Sequence, residues 1–517
     1  MNKKKAAKIG AVIDIGSHML KMRVAQMRKG EIVDVDRLEY PLHLGHEVFH
    51  EGKISFKSLR ELSGILHGYS EVMAGYGVDQ VKVVATTALR EAQNRAYVVD
   101  QLKIQNDMTV NVLEDDQEKT LIYSEMLASM QAAQAAPLGD ALLSYIGTGS
   151  IGIALYDGKN VVYSQSIPIG SLKLRDMLFS SENESENFHV VMEEYLDAIM
   201  ERVARSLHHV QVSNMVFTGS DVGLIARVCG VQEEGGRYII SNQKILSLYQ
   251  KVTPLSPEKI SLQYGVTEEE ADILYSALSI YSRLLRFSKA EYVVLPIVDL
   301  WDGIMRQMLV PKSIETYEKH LSSSAIACAE SIAEKYGCPK GHSDLVRRFA
   351  GKIFDKTKAI HGLPARYRLF LELAAILHDC GHYVNTKLHS RSTFDLVKNF
   401  DLYGLTTREM RVIAYVASYN EFNTPNLKDW GFTMLDDQQQ VLVSKLVAIF
   451  RLANSLDKSQ KQKFTDIKVR MEQNRLLVTV ESNEETHLEK WAFSACAPFF
   501  QEVFGIDPEL TVRLPMI

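Results

Sequence analysis

Apolar residues in the first quarter of the chain follow two different periods, and each period predicts a type of element. Short runs rich in Val and Ile, bounded by Gly or polar residues, predict buried strands. These runs lie at Ile9–Ile15, Leu20–Gln26, Glu31–Leu38, Val81–Ala85 and Val110–Leu113. Residues 56–74 instead carry apolar side chains at helical spacing. Strands that alternate with helices predict an α/β lobe.

The middle of the chain repeats this pattern. The predicted strands are Ala141–Ile146, Ile151–Tyr156, Val161–Ile167, Asn214–Phe217 and Glu291–Val298, and the predicted helices are Phe188–His208 and Ser276–Phe287. After about Val310 helical patterns follow one another, until strand alternation returns in the last 55 or so residues. We therefore predict a first lobe over residues 1–130, a second lobe over 131–310, a helical domain over 311–460 and a small α+β cap over 461–517.

Two strand-and-turn loops are candidates for phosphate binding. The first strand ends in Asp14-Ile15-Gly16-Ser17, and a later apolar run opens into Gly147-Thr148-Gly149-Ser150. Backbone N–H groups and hydroxyls at such turns can bind phosphate oxygens, and a carboxylate there can hold a metal–phosphate group or orient a water. The plain alternative is a strand with a polar end. Two copies of the pattern favour two similar lobes that face each other across a cleft.

Two further groups in the first lobe carry candidate chemistry. Arg90 lies in the first turns of a helix, where anions collect. The alternative is a surface arginine of the helix without a ligand. The acidic run from Glu114 to Glu118 opens the next helix and suits its dipole. It could equally place one carboxylate in the cleft as a base.

Composition narrows the classes of partner and compartment. The 517 residues carry a formal net charge of −6, so no global basic field recruits nucleic acid. The five cysteines are far apart and lack CxxC spacing, which indicates neither a disulfide framework nor a zinc ribbon. No stretch approaches the ~18 apolar residues that a membrane span needs. We expect a cytoplasmic protein without a membrane partner.

A candidate metal site lies in the helical region. His342 is followed much later by the adjacent pair His378-Asp379, which comes directly after an apolar run. Neutral imidazole and carboxylate groups are ligands for Zn, Mn, Fe or Mg-type ions. Lone helical histidines are more often structural, but the adjacent pair is a more specific signal.

Two motifs of the first lobe, together with His342, His378-Asp379 and the segment Arg451–Ser459 of the helical region, show a family resemblance over nearly the whole chain. Asp14-Ile15-Gly16-Ser17 and Ala85-Thr86-Thr87-Ala88-Leu89-Arg90-Glu91-Ala92-Gln93-Asn94 resemble the exopolyphosphatase/guanosine-pentaphosphate phosphatase (Ppx/GppA) family. The resemblance implies a two-lobed actin/sugar-kinase-like, RNase H-like ATPase fold. It also implies an α-helical HD-like domain behind the lobes. The implied activity is release of a terminal phosphate from inorganic polyphosphate or guanosine pentaphosphate with Mg²⁺.

The resemblance also implies roles for the candidate residues. Glu118 corresponds to the catalytic glutamate that activates water. The phosphate ligands would be Ser17, Arg90, Gly147, Thr148, Gly149 and Ser150. Asp14 would hold Mg²⁺, and His342, His378 and Asp379 would hold a metal in the HD-like domain. Members of the family often dimerise, so a homodimer is possible.

Three departures from the family pattern affect these expectations. Tyr145 and Gly152 stand where the family has metal-binding Asp and Glu, so we expect weakly held Mg²⁺ and slow hydrolysis. Asn454 stands where the HD-like part has an Asp, so we expect loosely held or substoichiometric metal there. The alternative function is a catalytically weak or inactive homologue that binds polyphosphate or guanosine tetra/pentaphosphate as a regulator. A third hypothesis makes the HD-like domain an independent metal phosphohydrolase, and Asn454 argues against it.

Overall fold

The computed structural model describes residues 8–133, 139–179, 188–207, 212–421, 424–425 and 432–514. The contacts within this structure divide the chain into two units, Met1–His320 and Leu321–Ile517.

The first unit begins with a five-stranded sheet of order β3-β2-β1-β4-β5. Its central strand, β1, pairs antiparallel with β2 and parallel with β4, and its last six residues are buried. A strand covered on both faces needs apolar side chains at successive positions, which explains its Val and Ile run. The strands are β1 Ile9–Ile15, β2 Met19–Arg28, β3 Glu31–Pro41, β4 Gln80–Ala85 and β5 Val110–Val112, and the helices are α1 Leu44–Glu51, α2 Phe56–Tyr76, α3 Thr87–Glu91, α4 Arg95–Asn106 and α5 Asp115–Ala133.

A second, six-stranded sheet of order β10-β11-β9-β6-β7-β8 completes this unit. Here β6 pairs antiparallel with β7 and parallel with β9, so it occupies the same place as β1 in the first sheet. The strands are β6 Asp140–Ile146, β7 Ile151–Asp157, β8 Val161–Ile167, β9 Asn214–Gly219, β10 Arg237–Ser241 and β11 Tyr292–Pro296. The helices are α6 Ser171–Phe179, α7 Phe188–Ser206, α8 Val222–Val228, α9 Asn242–Val252, α10 Pro257–Tyr264, α11 Glu268–Leu284 and α12 Leu300–Leu309.

Helices dominate the rest of the chain. The helix that contains the boundary between the units is α13 Pro311–Lys335, and those that follow are α14 Lys340–Lys356, α15 Lys358–His361, α16 Arg366–Leu377, α17 His389–Val397, α18 Thr407–Ser418, α19 Asp437–Ser455 and α20 His487–Phe504. A three-stranded sheet of order β12-β13-β14 comes near the end, with β12 Ile467–Glu472, β13 Arg475–Glu481 and β14 Asp507–Arg513.

The observed elements agree closely with those predicted from apolar periodicity. Strand β1 has the predicted ends, and most other strands differ by one to three residues. The predicted helix Ser276–Phe287 begins earlier, at Glu268, because Thr267 and Glu270 form a capping box there. Apolar periodicity did not predict the strands β10 and β14 or the helix α20. The last residue of the predicted helix Phe188–His208 lies outside the described residues, as does part of the segment between the predicted lobes.

Candidate active site

A cleft of about 620 Å³ in the first unit is lined by residues from both sheets. Residues that follow the ends of β1, β6, β9 and β11 form much of its wall. The carboxyl ends of strands in an open α/β sheet are a common place for ligands. The predicted site residues that line the cleft are Asp14, Ser17, Glu118, Gly147, Thr148, Gly149 and Ser150.

Asp14 is buried at the cleft wall near the end of β1. Its Oδ1 atom has no hydrogen-bond partner among the described residues. Burial, together with the nearby negative charge of Asp299, raises the pKa of Asp14 to about 8, although Lys21 opposes this shift. At neutral pH the group is therefore mostly protonated unless a cation joins it.

Lys21 faces Asp14 across the β1–β2 pair and bonds a second carboxylate. Its Nζ atom lies 2.8 Å from Oδ2 of Asp299, the N-cap residue of α12. Burial opposes ionisation of Asp299, but the charge of Lys21 and the hydrogen bond from it outweigh this effect and lower the pKa of Asp299. Asp299 therefore remains a carboxylate with its cation already in place.

Arg90 is bonded to acidic residues of the first lobe. Its guanidinium donates to Glu118 Oε2 at 3.1 Å, to Asp115 Oδ1 at 3.0 Å and to Thr87 Oγ1 at 3.0 Å. A further bond of 3.0 Å reaches the carbonyl of Leu113. The predicted phosphate ligand and the predicted base are therefore paired with each other.

Glu118 is buried on the cleft wall in the first turns of α5. Burial raises its pKa, and the positive charges of Arg90 and Lys119 oppose that shift. A hydrogen bond joins Glu118 to the Tyr145 phenol, whose own pKa is raised mainly by desolvation. A carboxylate with a raised pKa is a stronger base than a free glutamate.

Lys119 brings a buried ammonium group to the Gly147–Ser150 turn. Nζ donates to Ser150 Oγ at 3.0 Å and to Ser166 Oγ at 2.7 Å, and it pairs with Asp115. Ser150 Oγ donates in turn to Asp115 at 2.9 Å. We call Lys119, Asp115, Ser150 and Ser166 the Lys119 network.

Tyr145 and Gly152 are direct cross-strand partners on β6 and β7. A Cβ atom at position 152 would lie 2.6 Å from Lys119 Cδ and 2.3 Å from the Tyr123 hydroxyl. Glycine is therefore required because the Lys119 side chain passes over this position. Any larger residue would have to displace it.

The Gly147–Ser150 turn is held by the start of α6. The N–H groups of Leu172 and Lys173 donate to the Thr148 carbonyl at 3.1 and 2.9 Å, so this carbonyl is used within the protein. The N–H groups of Thr148 and Gly149 have no backbone acceptor in the described structure. Ser17 Oγ, also on the cleft wall, is buried without a partner among the described residues. The turn and Ser17 thus offer donors to an anion.

The second unit brings together the other predicted ligands. His342 on α14 and the pair His378-Asp379 after α16 are buried, and their ligand atoms lie within 4.8 Å of one another. We call these three residues the histidine cluster. The Nε2 atoms of the two imidazoles are 3.2 Å apart, and His378 Nε2 is 3.5 Å from Asp379 Oδ1.

Hydrogen bonds fix which nitrogen of each ring carries a proton. His342 Nδ1 lies 2.8 Å from Asp457 Oδ2, and His378 Nδ1 lies 2.8 Å from the Ala375 carbonyl. An ionised carboxylate and a carbonyl only accept, so each Nδ1 must donate. In the neutral rings both Nε2 atoms therefore carry lone pairs, and these lone pairs face each other beside a carboxylate.

Asn454 supports the histidine cluster through a second asparagine. Its Nδ2 donates to the Asn420 carbonyl at 2.9 Å, and Asn420 Nδ2 donates to the His378 carbonyl at 2.8 Å. The residue thus helps to fix the His378 backbone. The HD-like sequence pattern by itself shows only a missing ligand at this position.

Family comparison accounts for both units. Residues 23–309 match the Ppx/GppA phosphatase family, and residues 326–495 match domain III of Ppx/GppA phosphatases. The chain belongs to the Ppx/GppA phosphatase family.

Known relatives cover most of the chain at low identity. Proteins named guanosine-5'-triphosphate,3'-diphosphate pyrophosphatase from Aeromonas hydrophila and Aeromonas salmonicida are each 20% identical over 442 residues. In each case the match covers 85% of this chain and 86% of the relative. The predicted family resemblance is therefore confirmed.

Solved structures confirm the predicted main fold class. An exopolyphosphatase from Cytophaga hutchinsonii is 17% identical with a TM-score of 0.52 and covers 58% of this chain and 98% of its own. The Ppx/GppA family member from Aquifex aeolicus is 20% identical with a TM-score of 0.50 and covers 59% and 99%. The HD-like assignment of the later helices stays a prediction.

Several residues of this Ppx/GppA cleft were not found by sequence reasoning. Lys21 and Lys119 have no motif, and their contacts join residues far apart in the chain. Asp299 could have been suspected because it follows a predicted strand and opens a helix.

Within the described residues, no helix is both long and apolar enough to cross a membrane.

The raised pKa of Asp14 predicts how stability depends on pH. Between about pH 4 and 8 the folded state keeps a proton that the unfolded state releases, so this residue lowers stability as pH rises through that window. We expect Asp14→Asn to raise the melting temperature at pH 8, and to raise it progressively less towards pH 4. Thermal unfolding across this range, in EDTA, measures the difference. An effect that does not change with pH would contradict the buried, protonated state of Asp14.

Proposed function

We propose that this chain is a phosphohydrolase that releases the terminal phosphate of inorganic polyphosphate or of guanosine pentaphosphate. The observation that carries the proposal is the buried Glu118 carboxylate on the wall of a cleft that also holds the Gly147–Ser150 turn. Family membership supports the same class of reaction. The names of the similar proteins, guanosine-5'-triphosphate,3'-diphosphate pyrophosphatase and exopolyphosphatase, support both candidates.

In this proposal the phosphate chain is bound by the donors of the turn and by Ser17. Glu118 accepts a proton from the attacking water, and burial raises its pKa, which makes it a stronger base than a free glutamate. Arg90 acts through Glu118, because it donates to the Glu118 carboxylate and fixes its position. Arg90 could bind phosphate only if the ligand replaced one of the groups that accept hydrogen bonds from its guanidinium.

The cleft fits a divalent metal only in part. Asp14, with its unpartnered Oδ1, could supply one oxygen ligand to Mg²⁺. Tyr145 and Gly152 cannot supply others at neutral pH, because a phenol stays protonated and glycine has no side chain. We therefore expect slow turnover.

Replacing Glu118 tests its role as the base. We expect Glu118→Gln to lower the rate of phosphate release by about 100-fold or more, since the amide keeps the shape but cannot take the proton. Glu125→Gln is the matched control, because Glu125 lies on the same helix, is equally buried and pairs with Arg306 at 2.8 Å. Phosphate release from polyphosphate and guanosine pentaphosphate measures the rate. Equal loss in both variants would contradict a catalytic role for Glu118.

The alternative function is a regulator that binds these phosphates without hydrolysing them. It is favoured by the charge pairs that already occupy Arg90 and Lys119. Binding of polyphosphate raises the melting temperature by mass action whether or not hydrolysis follows. A shift without phosphate release would select the regulator, whereas no shift would exclude both functions at this cleft.

We further propose that the histidine cluster holds one divalent transition-metal ion. Two facing Nε2 lone pairs and the Asp379 carboxylate form a set of converging donors, and a cation between them removes their repulsion. Asp457 and the Ala375 carbonyl orient the two rings, as partners of metal-binding histidines commonly do. Because the rings are oriented in advance, we now expect about one equivalent of metal rather than the substoichiometric metal expected from Asn454.

Metal analysis of variants tests this site. We expect His378→Ala to lose the metal, and Asp457→Asn to weaken metal affinity by about 10- to 100-fold by removing the charged partner of His342. His361→Asn is the control: this buried histidine has both ring nitrogens bonded to backbone groups and should not affect the metal content. Elemental analysis of purified protein and competition with a chelator give the two readouts. Wild-type protein without bound metal after incubation with Zn²⁺ or Mn²⁺ would indicate a shared proton instead.

A further inference from the structure

The Gly147–Ser150 turn, which we call the phosphate turn, already has a side-chain cation bonded to it. The ammonium of Lys119 is buried, and it donates to Ser150 of the turn and to Ser166 on β8. The Ser150 hydroxyl in turn donates a hydrogen bond to Asp115. The Lys119 network therefore fixes the position of the turn as well as that of the ammonium group. A charge in a desolvated position acts more strongly on nearby phosphate oxygens than one in water.

The space that a metal-binding side chain would need at position 152 is filled. The methylene groups of Lys119 and the hydroxyl of Tyr123 meet the place where a Cβ atom would be. The cross-strand partner Tyr145 is bonded to Glu118 instead. The two positions at which the family pattern has carboxylates are therefore neutral here, and the carboxylate that Lys119 pairs with is Asp115.

The neighbouring carboxylates are paired with side-chain cations as well. Asp299 is bonded to Lys21 and Asp302 to Arg23. Glu118 is bonded to Arg90, as described above. A divalent ion would have to compete with these pairs for its oxygen ligands.

We propose that the Lys119 ammonium replaces a divalent metal ion at the phosphate turn, so that the cleft binds inorganic polyphosphate without a divalent metal. The proposal rests on the proposed function, because it concerns the same cleft. Lys119 is a positioning residue here: it acts through Ser150 and through its charge. The ligand class is a linear phosphate chain whose oxygens meet the turn.

Calorimetric titration with inorganic tripolyphosphate tests the metal dependence directly. The full-length His378→Ala variant is used, so that metal bound at the histidine cluster does not contribute heat. We expect the dissociation constant in EDTA to lie within about threefold of that in Mg²⁺, a difference of under 1 kcal/mol. Binding that EDTA abolishes would overturn the inference and leave the proposed function intact. No binding in either buffer would overturn the proposed function itself, and the inference with it.

Two variants in the same background test whether Lys119 is the cation responsible. We expect Lys119→Met to weaken tripolyphosphate binding in EDTA by about tenfold or more, because a charge and its bond to Ser150 are lost. Gly152→Ala keeps the charge but displaces the lysine, so it should weaken binding in the same direction. It also covers the case in which Lys119→Met does not fold.

Lys173→Met is the matched control. Lys173 belongs to the same unit and pairs with Glu91 at 2.6 Å, but it donates to Thr148 through its backbone, which the substitution leaves in place. We expect its dissociation constant to stay within about twofold of the parent. Circular dichroism confirms that each variant is folded before titration. Parent-like binding by both Lys119→Met and Gly152→Ala would overturn the assignment.

Discussion

Carboxylates buried at the ends of two facing sheets must each meet a cation or take up a proton, and this constraint shapes the cleft. An uncompensated buried charge costs several kcal/mol. Asp299, Glu118 and Asp115 meet lysine or arginine partners, and Asp14 takes up a proton instead. The basic residues of this cleft therefore stabilise the fold before they meet any ligand. A phosphate chain must bind to what these pairs leave available.

Most of the fold could be predicted because its central strands are covered on both faces. In β1 and β6 that burial requires consecutive apolar residues, and the turn after each strand requires glycine, so sequence alone located both strands and both turns. Asp14 and Glu118 could be predicted as candidates for a related reason. Polar residues at the end of a buried strand, or at the start of a helix, have few structural uses beyond capping. β10, α20 and β14 were missed because their patterns are short or mixed.

The pairing of the candidate residues could not be predicted. Arg90 and Glu118 are 28 positions apart and meet only because β4 and β5 are adjacent and parallel. Sequence showed Gly152 only as the loss of a carboxylate. The structure gives the physical reason for glycine at this position: β7 pairs with β6, and the Lys119 side chain lies directly over Gly152. Long-range side-chain contacts of this kind have no local signature.

The need to compensate buried carboxylates leads to opposite expectations about metal binding in the two units. In the first unit the carboxylates at the phosphate turn are bonded to lysine and arginine, so a metal ion has few oxygen atoms to bind. In the second unit Asp379 lies 3.5 Å from His378 Nε2 and 3.7 Å from His382 Nε2, and the rings of His342 and His378 present lone pairs to each other. Neutral imidazoles cannot balance a carboxylate, but they are suitable ligands for a transition metal. Each unit therefore places different groups beside its buried carboxylates: lysine and arginine in the first, and histidine in the second.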